Sequence, residues 1–184
     1  MRIAVYCGSN TGNDPAFARD ATLLAREVVD QGHGVVYGGG NIGLMGVVAD
    51  TVLAAGGEVI GVMPSHLTQR EIAHQGITEL YETTSMHERK AKMIELSDGF
   101  VALPGGVGTL EELSEVLSWA RIGLHSKPMA VLNTGGYYEP LLSFLDTMVV
   151  HGFINQKERD LVFAEEVPHR LVQRTGAAAA TRRS

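Results

Sequence analysis

Two kinds of apolar pattern alternate along the chain. Short runs such as Ile3-Ala4-Val5-Tyr6-Cys7 and Val35-Val36-Tyr37 are apolar at successive positions and end in glycine. Each reads as a buried strand entering a loop. Residues 58–63, 99–103 and 128–132 read the same way, and 78–82 and 161–163 fit two further strands. Between them lie stretches of helical period. Phe17, Ala21, Leu24 and Val28 form the core face of a first helix. Asp14 serves it as N-cap and Pro15 as its first residue, and Gly32 and Gly34 end it. Further helices are predicted over 44–55, 86–96, 109–121, 138–150 and 168–174. Residues 64–77 are loop-like, with space for a helical turn near 68–73. Strands that are apolar at every position need cover on both faces. The predicted fold class is therefore α/β, a doubly wound parallel sheet with helices on both faces. Ligands in such folds sit at the carboxyl ends of the strands, which singles out the loops 8–13, 38–43 and 104–109.

The bulk numbers narrow the function classes. A chain of 184 residues with 45% hydrophobic and 20% charged positions is globular. It reads as a single domain over 1–175 with a frayed tail at 176–184. A formal net charge of −6 argues against nucleic-acid binding, which needs a basic face. The single cysteine, Cys7, excludes an intrachain disulfide and indicates a reducing compartment. Neither a signal-peptide core nor a membrane-spanning stretch is evident, so the expectation is a cytoplasmic protein without a membrane partner. No Cys/His cluster points to a metal. A P-loop and a nucleophile elbow are both missing.

The turn Pro104-Gly105-Gly106-Val107-Gly108-Thr109 follows a predicted strand and opens a predicted helix. Gly105, Gly106 and Gly108 can take positive φ and let a ligand approach the backbone. Free amides and the helix dipole favour an anion there, and a phosphate is the natural guest. Thr109 and Glu112 also stand at capping-box spacing, so Glu112 is either a helix cap or a carboxylate facing the pocket. Gly38-Gly39-Gly40-Asn41-Ile42-Gly43 matches G-x-G-x-x-G but follows the second strand and has no acid at the end of the next one. It reads as a backbone wall for a sugar or base, or as a loop that needs close packing. Ser85-Met86-His87-Glu88 fits a second capping box. Met86, Arg89, Lys90 and Met93 then share one helix face. That face holds a phosphate or carboxylate through Arg89 and Lys90, or is a solvated basic surface.

Taken together, the segments 37–46, 86–90 and 104–112 resemble the LOG ("Lonely guy") family of cytokinin riboside 5′-monophosphate phosphoribohydrolases. The likeness runs from Ile3 to about Phe163. It implies a Rossmann-like fold and a homodimer with its site near the subunit interface. It also implies hydrolysis of the N-glycosidic bond of an adenine-type nucleoside 5′-monophosphate, without a cofactor. By motif position the resemblance makes Arg89 and Glu112 the catalytic pair. It makes Gly106, Val107, Gly108, Thr109, Leu110, Glu111 and Glu112 the substrate-binding turn, beside Gly105. Lys90, Glu71 and Ser118 match further contacts, and Ser9, Gly39, Gly40, Met45 and Met86 complete the expected site. Ser118 stands where some relatives have threonine, and Val107 replaces a common tyrosine. Two other readings compete: a nucleotide-binding or sensing module without catalysis, and an NAD(P)-dependent oxidoreductase, which the missing ribose-binding acid disfavours.

Overall fold

A computed structural model of the chain describes residues 1–68 and 73–181. Strands and helices alternate as β1 (Arg2–Tyr6), α1 (Pro15–Asp30), β2 (Gly34–Tyr37), α2 (Gly43–Ala54), β3 (Val59–Pro64), α3 (Ser65–Thr68) and β4 (Glu79–Thr83). The second half continues as α4 (Met86–Leu96), β5 (Gly99–Ala102), α5 (Val107–Arg121), β6 (Met129–Leu132), α6 (Glu139–Val150), α7 (Gln156–Arg159), β7 (Val162–Glu165) and α8 (Pro168–Thr181). All seven strands pair in parallel in the order β4-β3-β2-β1-β5-β6-β7. Ile3 stands opposite Val35 on one side and Gly99 on the other, so β1 is central.

The side chains show why the strands carry no polar alternation. Ile3 and Val5 pack with Leu24 and Val28 of α1, Val48 and Val52 of α2, and Leu171 of α8. Their neighbours Ala4 and Tyr6 pack on the opposite face with Met93 of α4, Leu113 and Val116 of α5, and Leu142 of α6. A period of two thus splits the central strands between two cores, and both cores demand apolar residues.

Several boundaries differ from those the sequence implies. Asp14 caps α1 through its side chain, which accepts from the Ala16 amide at 2.8 Å, with Pro15 in the first turn. Ser85 accepts from the Glu88 amide at 3.1 Å, but the box is not closed. The Glu88 carboxylate reaches one residue further back, to the amide and hydroxyl of Thr84, both at 2.7 Å. The last helix runs on to Thr181 instead of ending at 174, because Ala179 finds a buried place. The helical turn expected near 68–73 falls mostly outside the described residues.

The loop 8–10 docks on the start of α2, where the Leu44 amide donates to the Gly8 carbonyl at 3.0 Å. Gly43 makes that approach possible: its φ is +60°, and a Cβ there would lie 2.2 Å from the Ser9 carbonyl carbon. Gly43→Ala combines backbone strain with a clash against main chain and is expected to cost about 3 kcal/mol of unfolding free energy. Gly56→Ala, at φ +76° with open space around it, is expected to cost only about 1 kcal/mol. Urea denaturation of the two variants checks the difference.

Candidate active site

The strand order reverses between β1 and β5, and the chain leaves these two strands in opposite directions. The loop after β1 and the turn after β5 therefore diverge and leave a cleft, lined by Gly8, Ser9, Asn10, Gly105 and Gly106 and walled by Phe17 and Tyr137. Gly106 is the N-cap of α5, and no side chain caps the helix. The amides of its first turn are left without a side-chain acceptor, as an anion site requires.

Two sequence expectations about this turn are corrected. None of Gly105, Gly106 and Gly108 has a positive φ. Gly105 is needed for packing: a Cβ on it would come within 2.2 Å of the Thr109 hydroxyl and 2.9 Å of the Gly8 amide nitrogen. Gly106 and Gly108 face open space, which leaves the helix end uncovered. Nor does Thr109 cap α5. The helix begins at Val107, so Thr109 is already its third residue and Glu112 lies in the second turn. Glu112 is beyond the reach of a capping role.

The Glu112 carboxylate instead meets Arg89. Arg89 Nη1 lies 3.1 Å from Glu112 Oε1, with the side chains only 13% and 10% exposed. Arg89 starts on α4 and crosses the carboxyl edge of the sheet, donating from Nε to the Val62 carbonyl of β3 at 3.0 Å. Its guanidinium then passes over Gly38 at the end of β2, where a Cβ would stand 2.3 Å from Nη2. The first glycine of the G-x-G-x-x-G run is thus occupied in making room for an arginine. Burial pushes the Glu112 carboxyl above the ordinary glutamate range, and the neighbouring Arg89 charge only partly opposes it. Nearby Cys7 is also pushed up by burial, which leaves it a thiol and no nucleophile.

The other expected residues divide. Lys90 is buried and bridges to Glu111 and to Glu115, the latter at 3.0 Å. Burial would lower its ammonium, but those two carboxylates outweigh it and hold it protonated. The 86–93 face is therefore turned inward and is not a solvated surface, though Met86 at its start remains exposed. Met45 packs its thioether against Gly38 and Gly40. The Gly39 carbonyl accepts from the His74 amide at 3.0 Å, and Gly40 bridges to Ala73. Those two glycines are engaged in packing their loop. Ser9, Val107 and Leu110 are exposed near the cleft or on the first turn of α5. Ser118 is not brought to the Arg89–Glu112 pair. It lines an apolar groove with Leu117, Leu141 and Phe144 between α5 and α6. Glu71 lies outside the described residues. Gly38 was read from the sequence as part of a wall or a closely packed loop, without its partner Arg89. The Val62 carbonyl and Tyr137 were not singled out, since each acts on a partner far along the chain.

A family model described as possible lysine decarboxylase matches residues 45–175. The cytokinin riboside 5′-monophosphate phosphoribohydrolase LOG of Oryza sativa subsp. japonica is 46% identical over 171 residues, which is 93% of this chain and 71% of that protein. A protein of the same activity name from Arabidopsis thaliana is 46% identical over 173 residues, covering 94% and 81%. The chain belongs to the LOG family. Among solved structures, the Moco carrier protein of Chlamydomonas reinhardtii matches with a TM-score of 0.75 at 19% identity, covering 98% of each chain. The molybdenum cofactor binding protein of Rippkaea orientalis gives 0.71 at 21%, covering 96% and 95%. At those identities the two share the LOG fold, a parallel Rossmann-type sheet. A decarboxylase acting through a lysine–pyridoxal Schiff base is not what these residues fit. The one buried lysine, Lys90, is a doubly paired cation, whereas a Schiff-base lysine needs a free amine.

Because the missing Cβ of Gly38 makes room chiefly for Arg89, its replacement tests the pair without altering either member. Gly38→Ala is expected to push the guanidinium off Glu112 and to lower turnover of an adenine nucleotide about tenfold or more. Steady-state kinetics on AMP, with circular dichroism to verify the fold, checks this.

Proposed function

We propose that this LOG family member hydrolyses the N-glycosidic bond of adenine-type nucleoside 5′-monophosphates, releasing the free base and ribose 5-phosphate. The observation that carries the reading is the buried Arg89–Glu112 pair beside the uncapped start of α5, at the point where the sheet order reverses. The phosphate docks on the first-turn amides, and the ribose lies over the same helix toward Glu112. As the C1′–N bond breaks, its electron pair goes to the base and positive charge grows on the sugar. The Glu112 carboxylate stabilises that charge and orients the water whose oxygen bonds to C1′. The water proton is released as the departing base takes one up. Arg89 keeps Glu112 ionised in a buried place and fixes its direction. The names and identities of the curated relatives support this chemistry.

The protein works in the cytoplasm as a homodimer. The groove between α5 and α6 supports the dimer, with Leu110 and Phe144 exposed beside it, as does the likeness to the family. No helix among the described residues is long and apolar enough to cross a membrane.

Incubation with AMP and with isopentenyladenosine monophosphate, followed by chromatography for free base, tests the reaction. Tight binding with no base released would favour a nucleotide sensor. Glu112→Gln is expected to lower kcat by about a hundredfold or more while AMP affinity stays within a few-fold. Retention of most activity by that variant would overturn the assignment of Glu112.

The pH profile follows from the same burial. Glu112 must be ionised to act, and its carboxyl is held above the ordinary range. Activity should therefore fall, as pH is lowered, at a higher pH than an exposed glutamate would give. Arg89→Met removes the charge that opposes the shift, so the acid limb of kcat should move further up. Measured profiles of the wild type and this variant give the comparison.

A further inference from the structure

Two consecutive tyrosines reach the turn that opens α5. Tyr137 Oη donates to the Gly105 carbonyl at 2.5 Å, and Tyr138 Oη donates to the Leu103 carbonyl at 2.6 Å. Their rings meet edge to face at 5.2 Å. Tyr138 is buried in the core, whereas Tyr137 is 43% exposed and forms a wall of the cleft with Phe17, 5.6 Å away and also edge-on. A tyrosine so exposed has no need of a main-chain acceptor, since water would serve its hydroxyl.

The segment that carries the pair is held firmly. A 3-10 turn, Thr134–Gly136, follows β6. Asn133 accepts from the Tyr138 amide at 2.8 Å and donates to Glu139 at 2.6 Å. The Thr134 hydroxyl donates to Asp20 of α1 at 2.9 Å, a buried contact. The hydroxyl of Tyr137 is therefore delivered from a fixed base.

We propose that Tyr137 is a positioning residue for the phosphate cradle, acting through the Gly105 carbonyl. The proposal rests on the reading that a nucleotide phosphate binds this turn. A carbonyl oxygen is the one main-chain group there that repels an anion. The Tyr137 hydroxyl takes up that oxygen, fixes its direction and offsets its negative end. Because the peptide unit is planar and trans, holding the Gly105 oxygen on one side sends the Gly106 N–H to the opposite side. Gly105 is held on its other flank by Gly8 and Thr109, which leave no space for a Cβ. With the hydroxyl in place, the peptide between Gly105 and Gly106 has a single orientation. Without it that peptide rotates, at the cost of one amide–phosphate hydrogen bond.

The test is Tyr137→Phe, which keeps the ring and its packing on Phe17. The KM for AMP and the inhibition constant of inorganic phosphate are expected to rise together by about tenfold, the scale of one hydrogen bond to a charged group. The kcat, the inhibition constant of adenine and the melting temperature should stay near their wild-type values. Tyr137→Leu, which also loses the ring, should weaken phosphate to the same extent. Tyr138→Phe should instead lower the melting temperature, because it leaves a buried carbonyl short of a donor. A Tyr137→Phe variant whose KM and phosphate inhibition both stay within twofold of wild type overturns the proposal. So does one that weakens phosphate and adenine alike, since that is a general loosening of the cleft. Calorimetric binding of AMP and of inorganic phosphate keeps this separate from the hydrolase reading. A wild type that binds both but releases no adenine refutes the hydrolase, and the comparison with Tyr137→Phe still stands. A wild type that binds neither overturns both.

Discussion

A parallel sheet whose strand order reverses must open at the point of reversal, and the rest of this molecule is arranged around that opening. From β1 the chain moves outward to β2, β3 and β4, and from β5 it moves the other way to β6 and β7. Right-handed crossovers then put α1 and α2 on one face and α5 and α6 on the other. The loop after β1 and the turn after β5 cannot cover one another, because their helices depart on opposite faces. What remains between them is a cleft floored by main chain, with the bare start of α5 at its edge.

Into that setting the protein places an ion pair that its burial does not favour. Taking a guanidinium and a carboxylate out of water costs more than a surface pair returns, and the raised Glu112 carboxyl is the mark of that cost. The pair persists because Arg89 is fixed at several points. The Val62 carbonyl holds Nε, and the missing Cβ of Gly38 leaves space for the guanidinium. A purely structural bridge could be made at the surface with none of these accommodations. Strained electrostatics held in place by main chain is the arrangement expected where charge must act on a substrate.

The elements were largely legible in the sequence, because both faces of the central strands are buried and their runs are apolar without interruption. The edge strand β4, with Glu79 and Glu82 exposed, lacks that signal. Asp14 and Pro15 announced α1 by local chemistry that needs no partner. The site was legible only in part. The glycines at 105, 106 and 108 pointed to a turn that does border a cleft, but for a reason that the backbone does not bear out: one is needed for packing and two face open space. The start of α5 was placed late because Gly106 caps it without a side chain, and hydroxyl or carboxylate signals are what a sequence offers. That two-residue shift carried Glu112 from a capping role to a pairing role. Tyr137 left no trace, since its contact with Gly105 joins residues 32 positions apart. Spacing rules work within one element, and the decisive contacts here run between elements.

The charge count on α5 shows how the pieces are made compatible. Glu111, Glu112 and Glu115 crowd the helix whose first turn is proposed to receive a phosphate, and three bare carboxylates would repel one. Lys90 takes Glu111 and Glu115, and Arg89 takes Glu112. Two cations against three carboxylates leave one negative charge in the group. With Arg89 on Glu112, that remainder falls on Glu111 and Glu115, which share the single charge of Lys90. On the proposed reading the phosphate end of the site stays attractive through the helix amides and the dipole, while Glu112 at the sugar end is met by Arg89. Lys90 was expected to contact the substrate directly. In the structure its ammonium is taken up by Glu111 and Glu115 and offsets their charge in part.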